Sequence, residues 1–296
     1  MVVCSGMTGP RFMALSALSF AVMSACVKVA GDTGIPILQI IAVRAVISIG
    51  LSYASIRRAG VNVLGYHRGL LLARGVTGFL ALTCVFYALL NLPLALATLL
   101  QYLHPIFTAV LAWLFLREIP DRATLVCVAL SLCGMVTILW PTFSAGSAPV
   151  SSLFAIGIGL CGAFGSAIAY TIVRRLTRSE HPDVIVIYFP LVCLPGTLLF
   201  GGMDFVMPGL TGFLALLGVG VFAQMGQLTL TRAMALDKAS RAVSLSYLQI
   251  VFAAVIGVIY FGEHPASHTL LGSAFVLLGA AVVFRDRKAA ASSLPA

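Results

Sequence analysis

From Phe12 onward the chain is built of long apolar runs separated by short polar breaks. Windows of roughly 20 mainly apolar residues fall at about 12–30, 36–56, 69–90, 94–116, 122–141, 152–173, 184–200, 209–231, 241–261 and 267–284. The runs are continuous, whereas the strands of a membrane barrel alternate apolar and polar residues over about 10 positions. In lipid, only a helix satisfies its own backbone over such a length. The pattern therefore predicts an all-α integral membrane protein with ten transmembrane helices. Arg11 alone precedes the first run and Lys28 ends it, so it reads as an uncleaved helix and not as a signal peptide.

Composition agrees. Of 296 residues, 60% are hydrophobic and 9% charged, against about 25% charged in a soluble domain. The net charge of +9 would suggest nucleic acid in a soluble protein, but its placement has another cause. With the amino terminus inside, the inside set is Arg11, Arg57, Arg58, Arg68, Arg117, Arg122, Arg174, Arg175, Arg178, Arg232, Lys238, Arg241, Arg285, Arg287 and Lys288. The five outside loops carry no Lys or Arg; Lys28, Arg44 and Arg74 lie within helices. This asymmetry puts both termini in the cytoplasm and leaves no nucleic-acid partner to invoke. Cys26, Cys84, Cys127, Cys133, Cys161 and Cys193 fall in predicted helices and Cys4 outside them, with no C-x-x-C pair. They read as small packing residues.

A shift of 145 residues lays LLQYLHPIFTAVLAWLFLRE (99–118) over SLSYLQIVFAAVIGVIYFGE (244–263). Leu100 meets Leu245, Tyr102 meets Tyr247, Leu103 meets Leu248, Phe107 meets Phe252, Glu118 meets Glu263 and Pro120 meets Pro265; further on, Gly134 meets Gly279. Each half holds five predicted helices, and an odd number starts the second copy on the opposite side of the membrane. The expected organisation is a first repeat over 12–141, an inverted second repeat over 152–284 and a cytoplasmic tail over 285–296.

Two five-helix halves, each closing its fourth helix on a short Glu-containing turn (LREIPD, 116–121; FGEHPA, 261–266), resemble the drug/metabolite transporter superfamily. More closely, the chain is similar to the ten-helix EamA-type exporters. The resemblance implies a helical basket around a central cavity, cytoplasmic termini and alternating access. It also implies a substrate drawn from amino acids, nucleotide-like metabolites, riboflavin, S-adenosylmethionine or cationic toxicants.

Candidate cavity residues follow from polarity at depth. His104 lies at the centre of 94–116, and its repeat mate Gln249 lies near the middle of 241–261. Carriers built from inverted repeats hold substrate at that level. Thr98, Gln101, His104 and Thr108 form one stripe at helical period, which lipid does not solvate. Pro105 would free the carbonyl of Gln101 for water or ligand. Tyr247 joins Gln249 on helix 9, with Ser244 and Ser246 beside them. Gln224 and Gln227 share a face of helix 8, ahead of Thr231. Tyr87 with Thr83, and Tyr170 with Ser166, are spaced four apart on helices 3 and 6. Such groups serve as substrate contacts or bind helices together.

Arg44 lies about 12 Å deep at 1.5 Å per residue, with no Asp or Glu at comparable depth, so it meets carbonyls, water or a substrate carboxylate. Lys28 and Arg74 are expected to snorkel from helix ends. Glu118 and Glu263 are expected to satisfy turn N–H groups before helices 5 and 10. With no acid at depth, uniport or exchange is favoured over proton antiport.

Two motifs are declined. Gly157-x-Gly159-x-x-Gly162 lacks the strand a dinucleotide site requires and reads, with Gly165, as a helix-packing face. His264 and His268 have zinc-like spacing without a further ligand in their loop. No cofactor, metal or catalytic motif is therefore expected, and the chain does not read as an enzyme. The expected function is secondary transport at the cytoplasmic (inner) membrane, as a monomer or homodimer: export of amino acids or amino-acid-derived small metabolites. The alternative is an uptake carrier for a vitamin, a nucleoside-like metabolite or S-adenosylmethionine; a channel or an intramembrane enzyme is less favoured.

Overall fold

A computed structural model describes residues 8–92, 100–144, 153–200, 205–262 and 266–292. The apolar runs are helices: α1 (Gly9–Asp32), α2 (Ile37–Ala59), α3 (Arg68–Asn91), α4 (His104–Leu116), α5 (Arg122–Ser144), α6 (Leu153–Leu176), α7 (Pro182–Phe200), α8 (Leu210–Leu236), α9 (Ala239–Phe261) and α10 (Ser267–Ser292). Among the described residues, seven are long and apolar enough to cross a membrane alone, while α4, α5 and α7 contribute shorter apolar stretches. The chain is all-α and multi-pass. Helix α10 runs to Ser292, so the stretch expected as a tail from 285 begins as helix.

Local signals set the ends. Pro10 occupies the first turn of α1, where no intrahelical N–H bond is lost. Gly60, left-handed at φ 67°, closes α2 behind Arg57 and Arg58, whose charges suit the negative helix end. Inside α7, Pro190 and Pro195 each remove one backbone donor.

The helices pack in matched pairs. α1 lies along α8 and α3 along α6; α4 rests on α6 and α9 on α1; α2 meets α7 and α5 meets α10. Exchanging each helix for the one five places away returns the same set. The α5–α10 seam shows this atom by atom. A Cβ on Gly134 would fall 2.5 Å from the Gly272 carbonyl oxygen, and one on Gly279 would fall 3.0 Å from that of Cys127. Gly279 and Gly272 are the 145-shift mates of Gly134 and Cys127, so one backbone-to-backbone contact occurs twice. Along α6, Gly159, Gly162 and Gly165 face Ala88, Cys84 and Ala81 of α3; the glycine-rich stretch is indeed a packing face.

Helices 4 and 9 depart from the continuous spans read in the sequence. α4 starts at His104 after a turn at Tyr102–Leu103, and α9 is interrupted by a 3-10 turn at Leu245–Tyr247. Both breaks carry the same tight bond: Leu103 N–H to Leu100 O at 3.1 Å, and Leu248 N–H to Leu245 O. Since α9 has Ile250 where α4 has Pro105, proline is not the cause. Pro105 sits in the first turn of the resumed helix, where its missing N–H costs nothing. The far ends also match. Arg117 (φ 55°) and Gly262 (φ 63°) are both left-handed, and behind the first the Glu118 N–H donates to Ala112 O at 3.1 Å.

Glu118 does not serve helix 5. Its carboxylate takes Arg174 Nε (2.8 Å) and Arg178, and accepts the Ala239 N–H at 3.0 Å, capping α9 in the other half. Lys238 Nζ donates to Ile119 O at 3.0 Å, and Arg241 bridges Asp121 and Asp286. Asp121 is the residue that caps α5, accepting the Thr124 N–H at 2.8 Å and its hydroxyl at 2.6 Å. Glu263, His264 and Pro265 lie outside the described residues.

Candidate functional site

The two broken helices frame a cavity of about 290 Å³ between the halves. It opens beside a recess of about 130 Å³ that shares Arg44, Gln101, Tyr170 and Gln227 with it. Met13, Ala17, Phe20 and Met23 of α1 form an apolar wall, and Ser246 and Gln249 of α9 enter from the second half.

At the α4 break, His104 is only 5% exposed. Its Nδ1 lies 2.8 Å from the Gln101 carbonyl oxygen, so the carbonyl expected to be free for a ligand is taken by the histidine ring. A carbonyl only accepts, hence Nδ1 carries the hydrogen and Nε2 presents a lone pair. Neither His104 Nε2 nor Gln101 Oε1 has a partner among the described residues. Aromatic rings hold the imidazole on two sides, with centroids at 5.4 Å for Tyr170 and 6.3 Å for Tyr102.

The opposite pole is cationic. Arg44 stands 5.8 Å and Arg74 4.8 Å from the centre of the Phe189 ring. Arg74 is 3% exposed; it donates to Gln227 Oε1 at 3.2 Å and leaves its buried Nε without an acceptor. Arg44 makes no hydrogen bond or ion pair among the described residues. No Asp or Glu is among the described residues lining either space. Arg74 does not snorkel: it lies one and a half turns inside α3 and points along the face of Gly78, Ala81, Leu82 and Val85.

Six of the sequence candidates thus share one space: Arg44, Gln101, His104, Tyr170, Gln227 and Gln249. Three stand apart. Tyr247 is fully buried; its hydroxyl donates to Tyr102 O at 2.8 Å and its ring stacks on Tyr102. Gln224 turns to α2, donating to Ser52 Oγ at 2.6 Å. Tyr87 is 38% exposed and meets Phe154 edge-on. Thr98 lies outside the described residues, and Thr108 is buried with its hydroxyl on His104 O. Thr83, Ser166 and Thr231 bond carbonyls of their own helices and do not join helices together. Ser246, named beside Gln249 in the sequence, does line the cavity, whereas Arg74 and Tyr102 are lining residues that the sequence reading did not select.

Comparison with known proteins identifies the family. The EamA-like transporter family matches residues 7–140 and again 153–285. The pseudopaline exporter of Pseudomonas aeruginosa is 33% identical over 95% of this chain and 97% of its own length. Solute carrier family 35 member G1 of Homo sapiens is 27% identical over 94% of this chain and 80% of its own. The riboflavin transporter of Vibrio cholerae is 25% identical over 93% and 92%. A solved crystal structure superposes with a TM-score of 0.78 at 20% identity, covering 93% of this chain and 95% of the other; it shares the fold.

Proposed function

Because the chain belongs to the EamA-like transporter family, within the drug/metabolite transporter superfamily, we propose that it exports amino acids or amino-acid-derived small metabolites across the cytoplasmic membrane. The observation that carries this reading is the cavity between the repeats. It presents polar side chains from both halves within an otherwise apolar lining, and is flanked by two arginines with no acid among the described lining residues. An anionic group on a metabolite is what such a lining lacks. The 33% identical pseudopaline exporter supports the outward direction.

The mechanism is alternating access by two inverted repeats, with both termini cytoplasmic as the Lys and Arg placement requires. Gln101, His104, Gln227, Gln249, Tyr170 and Arg44 contact the solute, while Gln224, Tyr247 and Tyr87 shape its surroundings. The ties around Glu118 and Asp121 close the cytoplasmic face and release when the cavity turns inward. Without a carboxylate at depth among the described residues, uniport or exchange is the coupling mode. The repeat bounds 12–141 and 152–284 delimit the moving halves.

The experiment is flux in reconstituted vesicles. Saturable efflux that accelerates when unlabelled solute is placed on the far side identifies a carrier. Flux that rises linearly with concentration, with no such acceleration, rejects it. The likeness to the riboflavin transporter favours uptake as a second reading, and the direction of net accumulation in cells separates the two.

A further inference from the structure

We propose that the cavity recognises a dipolar solute, with a carboxylate at the Arg44–Arg74 pole and an N–H donor, amine or ammonium, at the His104–Gln101 pole. This rests on the carrier reading above and adds the solute's charge pattern.

Both poles have unmet hydrogen-bonding capacity, and of opposite kinds. At the first, Arg74 Nε is buried without an acceptor among the described residues, and Arg44 lines the cavity with its guanidinium 5.8 Å from the centre of the Phe189 ring. At the second, His104 Nε2 and Gln101 Oε1 are buried acceptors without donors. The histidine cannot turn its lone pair inward instead, because Nδ1 must keep its hydrogen on the Gln101 carbonyl. Ser246 Oγ, likewise unpartnered, is able to serve either pole. An unpaired buried acceptor is as unfavourable as an unpaired donor. A simple anion would satisfy the arginines and leave His104 and Gln101 unmet. A simple cation would meet Arg44 in the cavity and Arg74 in the recess that opens beside it. Only a solute bearing both groups serves both ends, and this sets aside solutes that are purely cationic or purely anionic.

The test uses vesicles containing the full chain, loaded with a cytosolic small-molecule extract. The extract is supplemented with equimolar L-amino acids, their matching 2-oxo acids and their matching decarboxylated amines. We expect protein-dependent efflux of compounds carrying both a carboxylate and an N–H donor, at least about tenfold above either single-ended class. Arg44→Gln should narrow the gap to the amines, whereas His104→Ala and Gln101→Leu should each narrow the gap to the 2-oxo acids. Equal movement of 2-oxo acids or amines by the wild type overturns the dipolar reading while sparing the carrier. So does a proportional loss of all classes in every variant. If no compound leaves in a protein-dependent way, the carrier reading falls and this inference falls with it.

Discussion

Tyr247 donates its hydroxyl to the Tyr102 carbonyl at 2.8 Å, and the two rings stack with centroids 5.7 Å apart. The residues are repeat mates, so this contact joins a position to its own image. A contact on the axis relating the halves has the same neighbours whichever half has moved. The bond also covers a carbonyl exposed by the turn at Tyr102–Leu103. Tyr247→Phe should therefore lower thermal stability in detergent by about 1–3 kcal/mol, as expected for an unmet buried carbonyl. Tyr102→Phe should cost less than half of that. Equal losses would show that the two hydroxyls matter alike and that the bond to the Tyr102 carbonyl carries no special weight.

His104→Ala and Gln249→Ala should each reduce transport by about tenfold or more at unchanged expression, since a lost hydrogen bond to substrate has that size. Gln224→Ala and Tyr87→Phe should leave flux within about twofold. Flux assays on the four variants check this; wild-type rates for both His104→Ala and Gln249→Ala would remove the cavity from the transport pathway.

Glu118 is shared by Arg174, Arg178 and the Ala239 N–H, so it joins the end of α4 to three places in the second half. Removing its charge leaves the largely buried Arg174 guanidinium with backbone carbonyls but no carboxylate. In Glu118→Gln, a cysteine introduced as Gln227→Cys in a cysteine-free background should react with a cytoplasmic thiol reagent roughly tenfold faster. An unchanged rate would mean that closure of that face depends on other contacts.

Asp121 supplies a pH signature. Burial pushes its carboxyl up, but the Thr124 hydroxyl and N–H and the Arg241 guanidinium outweigh burial and hold it below the ordinary value. A depressed carboxyl contributes stability that is present above its unfolded pKa, about 3.9, and lost as pH falls through the lower folded value. The melting temperature should thus hold near pH 4 and drop below it, and Asp121→Asn should flatten that drop. An identical acid limb in the variant would assign it to other carboxylates.

Much of the fold was legible because length and apolarity decide it. A run of twenty apolar residues has one way to satisfy its backbone in lipid, and the 145-residue echo fixes which positions correspond. His104, Gln249, Gln101 and Gln227 were legible for the same reason: polarity at that depth needs a protein or water neighbour. Sequence gives depth along a helix far better than direction around it, and Arg74 shows the difference. Six positions from the start of α3 it looked free to reach the surface, yet it shares a face with Gly78, Ala81, Leu82 and Val85, a stripe at helical period. Tyr247 erred the other way, its polar hydroxyl aimed at the axis instead of the cavity. The breaks were hidden because Pro105 drew attention to the wrong cause. The matching interruption at Leu245–Tyr247 contains no proline, and each turn is held by contacts that only the folded pair supplies.

The arginine pair also makes the carrier sensitive to voltage. In a protein that alternates its opening, charges held at mid-depth see the potential of whichever compartment they face. With a negative cell interior, an empty cavity bearing Arg44 and Arg74 is drawn toward the cytoplasmic orientation, at up to about 2.3 kcal/mol per charge per 100 mV. A solute bearing one carboxylate and one ammonium adds no net charge, so the loaded cavity feels the same pull. The field then assists return of the empty cavity and opposes export of the loaded one by the same amount. Currents from vesicles on a solid-supported membrane should show this as a charge displacement that is smaller throughout in Arg44→Gln; a displacement indifferent to Arg44 would place the moving charge elsewhere.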